Sequence, residues 1–188
     1  MNGEDLLQWY DRVKSHLLTR IVRSSFDAFG LGSRIVAPLR LHGAARIRVG
    51  ARVFFGSGCW LNCVSTATNS ESPVLLSIGD DVSISGGCTL SAALNVTIGD
   101  SVLIARGVYI SDHDHRRKDG QTLHRDVGET AAVAIGEGVW LGQSCCVLRG
   151  VSIGAGAVIG ANSVVTHDVP PGGVAVGAPA RLLKIFEQ

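Results

Sequence analysis

Asp112-His113-Asp114-His115 sets two imidazoles and two carboxylates in four consecutive positions. An unperturbed imidazole titrates at about pH 6.5, which makes it a natural proton acceptor at neutrality. A carboxylate beside the ring can orient it and stabilise its protonated form, the arrangement of a general base acting on a hydroxyl. The four residues open a segment, 112–132, that also carries Arg116, Arg117, Lys118, Arg125 and His124. Its basic character suits a partner bearing phosphate or carboxylate.

What positions this segment is a repeat. Val49, Phe55 and Leu61 are six apart, as are Ile78, Ile84 and Leu90, then Ile98, Ile104 and Ile110, then Ile135, Leu141, Val147, Ile153, Ile159 and Val165. In a chain that is 46% hydrophobic, fifteen such matches by chance are on the order of one in a hundred thousand. Glycine often follows the large residue, as at Gly50, Gly79, Gly99, Gly136 and Gly154. A small or β-branched residue stands four after it, as at Val53, Cys59, Val82, Cys88 and Cys145. A period of six fits one short strand and one turn per hexad, three hexads making a triangular coil of eighteen residues with the large residue inside. The expected fold is all-β, a parallel β-helix.

Composition excludes other classes. At 188 residues the chain has room for one core and a small appendage. A net charge of +1 argues against nucleic acid as a partner, and 18% charged residues against disorder. No apolar run approaches the roughly 20 residues of a membrane span. Without a leader pattern at the N-terminus, and with five cysteines in no C-x-x-C spacing, a soluble cytoplasmic protein is expected. The cysteines read as small core residues.

Outside the repeat, residues 4–29 read as an amphipathic helix with Leu6, Trp9, Tyr10, Val13, Leu17 and Ile21 on one stripe. It either caps the open end of the coil or lies on the inner face of a membrane as a peripheral contact. Arg34, Arg40, Arg46 and Arg52 recur every six residues, which predicts a basic edge with Arg34 and Arg52 one coil apart. A polar bulge at Asn69–Ser72 and the long excursion 112–132 interrupt the coils. The division expected is a helical cap over 1–32, the coil over 33–178 with its active-site loop at 112–132, and a C-terminal tail over 179–188.

The hexads resemble those of the hexapeptide-repeat, left-handed β-helix acyltransferases, over residues 40–184. The left hand comes from that resemblance, since general chirality rules favour right-handed crossovers. Asn95 to His115 is similar to the O-acetyltransferases of bacterial surface polysaccharides and lipopolysaccharides, and more distantly to the maltose and galactoside acetyltransferases. The resemblance implies acetyl-CoA as co-substrate, a saccharide acceptor and a homotrimer with sites between chains. Aligned on the strand ending at Ile110, it gives His115 the part of general base, with His113, Asp112 and Asp114 beside it. It implies a CoA site at Trp140, Gly142, Gln143, Gly160, Ala161, Thr166, His167, Arg181 and Lys184, with backbone amides near Gly142 and Gln143 facing the thioester oxygen. His167 stands where lysine is usual, and Ala178 replaces a common asparagine. On the acceptor side Ser85 aligns with the galactoside enzymes' asparagine and Ala93 with their aspartate, so a simple galactoside or maltose acceptor is not expected. Arg116 and Arg117 are the acceptor-side cations.

Three alternatives stand beside O-acetylation. The acceptor could be the amine of an amino-sugar nucleotide. His113, His115 and His124 could hold a catalytic zinc in the manner of γ-class carbonic anhydrases, although that family takes its ligands from neighbouring coils and no histidine lies between His42 and His113. The coil could also be a non-catalytic scaffold. No bound metal is expected.

Overall fold

The structure is a computed structural model that describes residues 2–64 and 74–186, apart from the side chains of Thr122, His124 and Arg125. The chain visits three parallel sheets in rotation. Ile47–Val49, Phe54–Phe55 and Cys59–Cys63 lie one in each sheet, and Leu76–Ile78, Ser83–Ile84 and Thr89–Ala92 stack beside them in the same order. Among the described residues the first and third sheets have six strands and the second eight. The polar bulge expected at Asn69–Ser72 lies outside the described residues.

All fifteen hexad residues are buried, none more than 3% exposed. They form three columns: Val49, Ile78, Ile98, Ile135 and Ile153 in the first sheet, Phe55, Ile84, Ile104, Leu141 and Ile159 in the second, and Leu61, Leu90, Ile110, Val147 and Val165 in the third. The corners explain the rest of the period. At the first-to-second corner Arg52, Asp81, Ser101, Gly138 and Gly156 all have positive φ, between 57° and 66°. Residues that tolerate the left-handed region recur there because every coil turns the same way.

The eighteen-residue coil holds from Ile135 to Ile153, but Ile78 to Ile98 takes twenty. The two added residues fall at the third-to-first corner and lengthen the third sheet. Its strands Leu39–His42, Cys59–Cys63 and Thr89–Ala92 have four or five residues, where Cys146–Val147 has two. For the same reason Arg34 does not face Arg52. Arg34 pairs with Phe54 and stacks 5.2 Å over its ring, and Arg40 lies 4.2 Å over the Trp60 ring. Arg48 pairs with Asp27 and Arg52 with Asp81, so the expected basic edge is dispersed over strands and corners and partly neutralised.

The ends also differ from expectation. The helix runs Gly3–Val22, started by an Asn2–Asp5 capping box, and gives way to a 3-10 turn at Arg23–Ser25. Ala28–Phe29 already pairs with Ile47–Val49, so the coil begins before residue 33. The helix meets the coil through Ser15, Leu18, Thr19 and Val22, and the Ile35 amide donates to Thr19 Oγ1 at 3.0 Å, which covers an open strand edge. The stripe from Leu6 to Ile21 is 47–64% exposed, so it is not the docking face. No described helix is long and apolar enough to cross a membrane. Residues 179–188 are more than a tail: Ala180–Ile185 folds back antiparallel on Gly173–Gly177 and closes the second sheet.

The inward and outward residues of one strand should respond in opposite ways. Ile104→Ala, at a fully buried position, should lose about 2–5 kcal/mol in urea unfolding, whereas Leu103→Ala, 45% exposed, should stay within about 0.5 kcal/mol.

Candidate active site

The excursion is a β-hairpin. His113–Lys118 pairs antiparallel with Gln121–Thr130, turning at Asp119 and Gly120, whose φ angles are 51° and 75°. Two successive positive φ values are those of a type I′ turn, for which Asp-Gly is a favoured pair. Arg149, from the next coil, holds the hairpin base through Asp114 and Glu129.

Asp112 stands where the hairpin leaves the third sheet, and it is fully buried. Its carboxylate accepts hydrogen bonds from the backbone amides of Ala93, Leu94 and Asn95 at 2.8, 2.8 and 2.7 Å. These amides line the corner of the preceding coil. The carboxylate lies 2.8 Å from His113 Nδ1. Burial alone would push the Asp112 carboxyl up, but the bonds from His113 and the three amides hold it below the ordinary aspartate value. An ionised carboxylate can only accept, so the Nδ1 N–H is the donor in this contact and Nε2 is the ring nitrogen left for another partner.

His113 opens onto a groove of about 270 Å³ on the outer face of the widened third sheet. Trp60, Asn62, Thr89, Ser91 and Tyr109 line its floor and sides, and the hairpin residues Asp126 and Val127 overhang it. The sequence reading missed all of these sheet residues. His115 lines both this groove and a second one, with Arg116, Arg117 and Arg149, on the other side of the hairpin. Asp114 pairs with Arg149 rather than with an imidazole. The side chain of His124, which the zinc reading needs, is outside the described residues.

The CoA candidates fall into two groups. Gly142 and Gly160 occupy one column at the second-to-third corner, flanked by Trp140, Gln143 and Ala161, and the Asn162 amide donates to the Gln143 carbonyl at 2.8 Å. Ser85 stands in the same column two coils earlier. The Gly142 amide is engaged by the Ile159 carbonyl at 2.8 Å. A Cβ on Gly142 would lie 2.6 Å from the Ala161 nitrogen, so a larger residue there disturbs coil stacking before it blocks any ligand. The second group is Thr166, whose hydroxyl lies 2.8 Å from His167 Nδ1, with His167 and Arg181 lining a groove of about 350 Å³. Lys184 stacks 4.3 Å over Phe186. Within one chain, therefore, Ser85, Trp140, Gly142 and Gln143 occupy a different sheet and corner from His113.

Residues 132–167 match the family described as bacterial transferase hexapeptide (six repeats). Those residues carry the bacterial transferase hexapeptide repeat. It is 37% identical over 125 residues to the galactoside O-acetyltransferase of Escherichia coli, covering 61% of this chain and 59% of that protein. It is 38% identical over 119 residues to a second Escherichia coli protein, provisionally named a lipopolysaccharide biosynthesis O-acetyl transferase, covering 57% of this chain and 59% of that one. The chain thus spans less than two thirds of the length of these curated relatives. Among solved structures it is similar to a hexapeptide-repeat acetyltransferase of Vibrio cholerae complexed with acetyl-CoA, with a TM-score of 0.59, 26% identity, and 88% and 74% of the two chains covered. The N-acyltransferase AntD of Bacillus cereus shares the fold, with a TM-score of 0.76 at 18% identity over 90% of this chain and 89% of that one.

Removing the carboxylate should destabilise the corner. Asp112→Ala removes the carboxylate that accepts from three amides and holds His113 Nδ1, and should lose at least about 2 kcal/mol at pH 7. Because the folded-state pKa is depressed, the carboxylate's contribution is present above the unfolded value and is lost as pH falls through the folded one. Urea unfolding at pH 7 and in strong acid should show the gap between wild type and Asp112→Ala narrowing below the ordinary aspartate value of 3.8.

Proposed function

We propose that this chain transfers the acetyl group of acetyl-CoA to a saccharide hydroxyl, in the assembly of a surface polysaccharide or lipopolysaccharide, by direct attack. The observation that carries the reading is the Asp112–His113 pair at the mouth of a polar, aromatic groove. The repeat and the two O-acetyltransferase relatives support the reaction class, and the acetyl-CoA bound to the Vibrio cholerae protein supports the donor. The left hand of the coil belongs to the same reading.

His113 is the base we favour, because the carboxylate that could fix an imidazole is bound to His113, whereas His115 is exposed on the hairpin. His113 Nε2 takes the proton of the attacking hydroxyl. The oxygen forms its bond to the acetyl carbon, the carbon–sulfur bond breaks, and the proton passes to the departing CoA thiolate. A thioester is already activated, so positioning, deprotonation and oxyanion stabilisation suffice. With the Gly142 amide engaged, the Gln143 amide is the remaining candidate for the oxyanion.

The site is proposed to be shared between chains of a homotrimer. That assembly would bring the corner bearing Ser85, Trp140, Gly142 and Gln143 of one chain to the His113 edge of the next. Arg181, Lys184, His167 and Thr166 would face the nucleotide end of CoA, and Arg116 and Arg117 a charged extension of the acceptor. Sedimentation equilibrium should return three chains, and a fully active monomer would overturn the shared site.

His113→Ala should lower turnover by about 10²–10⁴-fold with folding intact, and His115→Ala by less. The reverse ranking would give the base to His115, as the strand alignment has it. Calorimetry should find acetyl-CoA bound by wild type and by His113→Ala alike. No binding to either would remove the transferase reading and bring the zinc and scaffold alternatives forward.

A further inference from the structure

The outer face of the third sheet carries one column that is uneven in height. Arg40, Trp60, Thr89 and Tyr109 follow one another in register, one per coil. Two aromatic side chains thus flank a short one. Trp60 and Tyr109 are two strand spacings apart, about 9.6 Å, and Thr89 leaves the space between them open. A ring held between two aromatic faces needs a carbon contact of about 3.5–4.0 Å on each side, or about 7–8 Å in all. That strand spacing leaves room for one saturated six-membered ring.

Its surroundings have the chemistry of a sugar site. Arg40, from the preceding coil, stacks on Trp60 with its guanidinium 4.2 Å from the ring centroid, which braces the indole from the side away from Tyr109. In the neighbouring column Asn62 Nδ2 donates to Ser91 Oγ at 2.9 Å, leaving the amide oxygen and the second N–H of Asn62 for hydroxyls. The residues that supply this second column exist because the coils here carry more than eighteen residues, the extra ones falling at the third-to-first corner. His113 lies at the same groove's edge, so a ring seated in the notch has its hydroxyls beside the candidate base.

We infer that the notch between Trp60 and Tyr109 seats the pyranose ring of the acceptor, with Trp60 as its stacking face and Asn62 and Thr89 as hydroxyl partners. The inference rests on the transferase reading and names where its acceptor sits. Aromatic faces bind the C–H side of a sugar while the rim polar groups fix its orientation.

The test is saturation-transfer difference NMR on the full chain with glucose, galactose, mannose, N-acetylglucosamine and glucuronate, each at millimolar concentration. At least one pyranose should receive saturation from the wild type. Trp60→Ala should weaken that sugar about tenfold or more, Trp60→Phe should retain most of the binding, and Trp9→Ala on the exposed helix should change nothing. Thermal unfolding of each variant shows whether the coil is intact. The slot is wrong if no pyranose is bound by the wild type, or if folded Trp60→Ala binds as the wild type does. Acetyl-CoA calorimetry on the same samples separates the two readings. Donor binding with sugar binding indifferent to Trp60 removes the slot and leaves the transferase. Sugar binding lost in Trp60→Ala with no donor binding leaves the slot and removes the transferase.

Discussion

One buried carboxylate joins the scaffold to the chemistry. Asp112 closes three backbone amides at the corner of the preceding coil and holds His113 at its remaining face. A charge this deep is tolerated because every direction of its carboxylate meets a donor. The same satisfaction makes it a rigid reference point. The hairpin leaves the coil one residue later, so the imidazole's position is set by coil stacking rather than by the loop that carries it.

The coil can supply that rigidity because its packing is redundant. Each inward residue touches like residues one coil above and below, and the first-to-second and second-to-third corners repeat a positive-φ residue at the same place. Glycines such as Gly50 and Gly142 stand where a Cβ would lie 2.4–2.6 Å from the backbone of the next coil, so adjacent corners nest directly. The cysteines belong to this filling. Cys59 and Cys88 both donate to the Ser85 carbonyl, at 3.3 and 3.1 Å, and burial pushes the thiols of Cys63 and Cys145 up to about 12, far from thiolate chemistry at neutrality.

The core was legible in the sequence because a strict period constrains inward positions and nothing else. The same reasoning explains the misses. Outward residues obey no period, so Trp60, Asn62, Thr89 and Tyr109 gave no signal. They meet only because Trp60 and Tyr109, 49 positions apart, fall in one column. The hairpin did carry a signal, Asp119-Gly120, which a reading focused on the histidines passed over. The helix was assigned the wrong docking face because amphipathicity implies burial of the apolar stripe, whereas the coil's end accepts the small side formed by Ser15 and Thr19. For the paired histidines, sequence could list four adjacent groups but not which carboxylate turns inward. That depends on the corner amides of a coil some twenty residues earlier.

The site lies where the repeat departs from its own rule. Residues added at the third-to-first corner widen the third sheet, an inserted hairpin flanks it, and from Ile135 to Ile153 the coil takes eighteen residues. A perfect solenoid has equivalent faces with no reason for a ligand to prefer one. Widening breaks that equivalence by adding an outward column with Asn62 and Ser91, and the hairpin adds a wall and the imidazole proposed as base. Both changes fall at the third-to-first corner, where Asp112 ties them to the regular coils. The outward residues of the widened stretch can therefore vary without touching the inward columns that hold the chain together, which is what the proposed acceptor site would require.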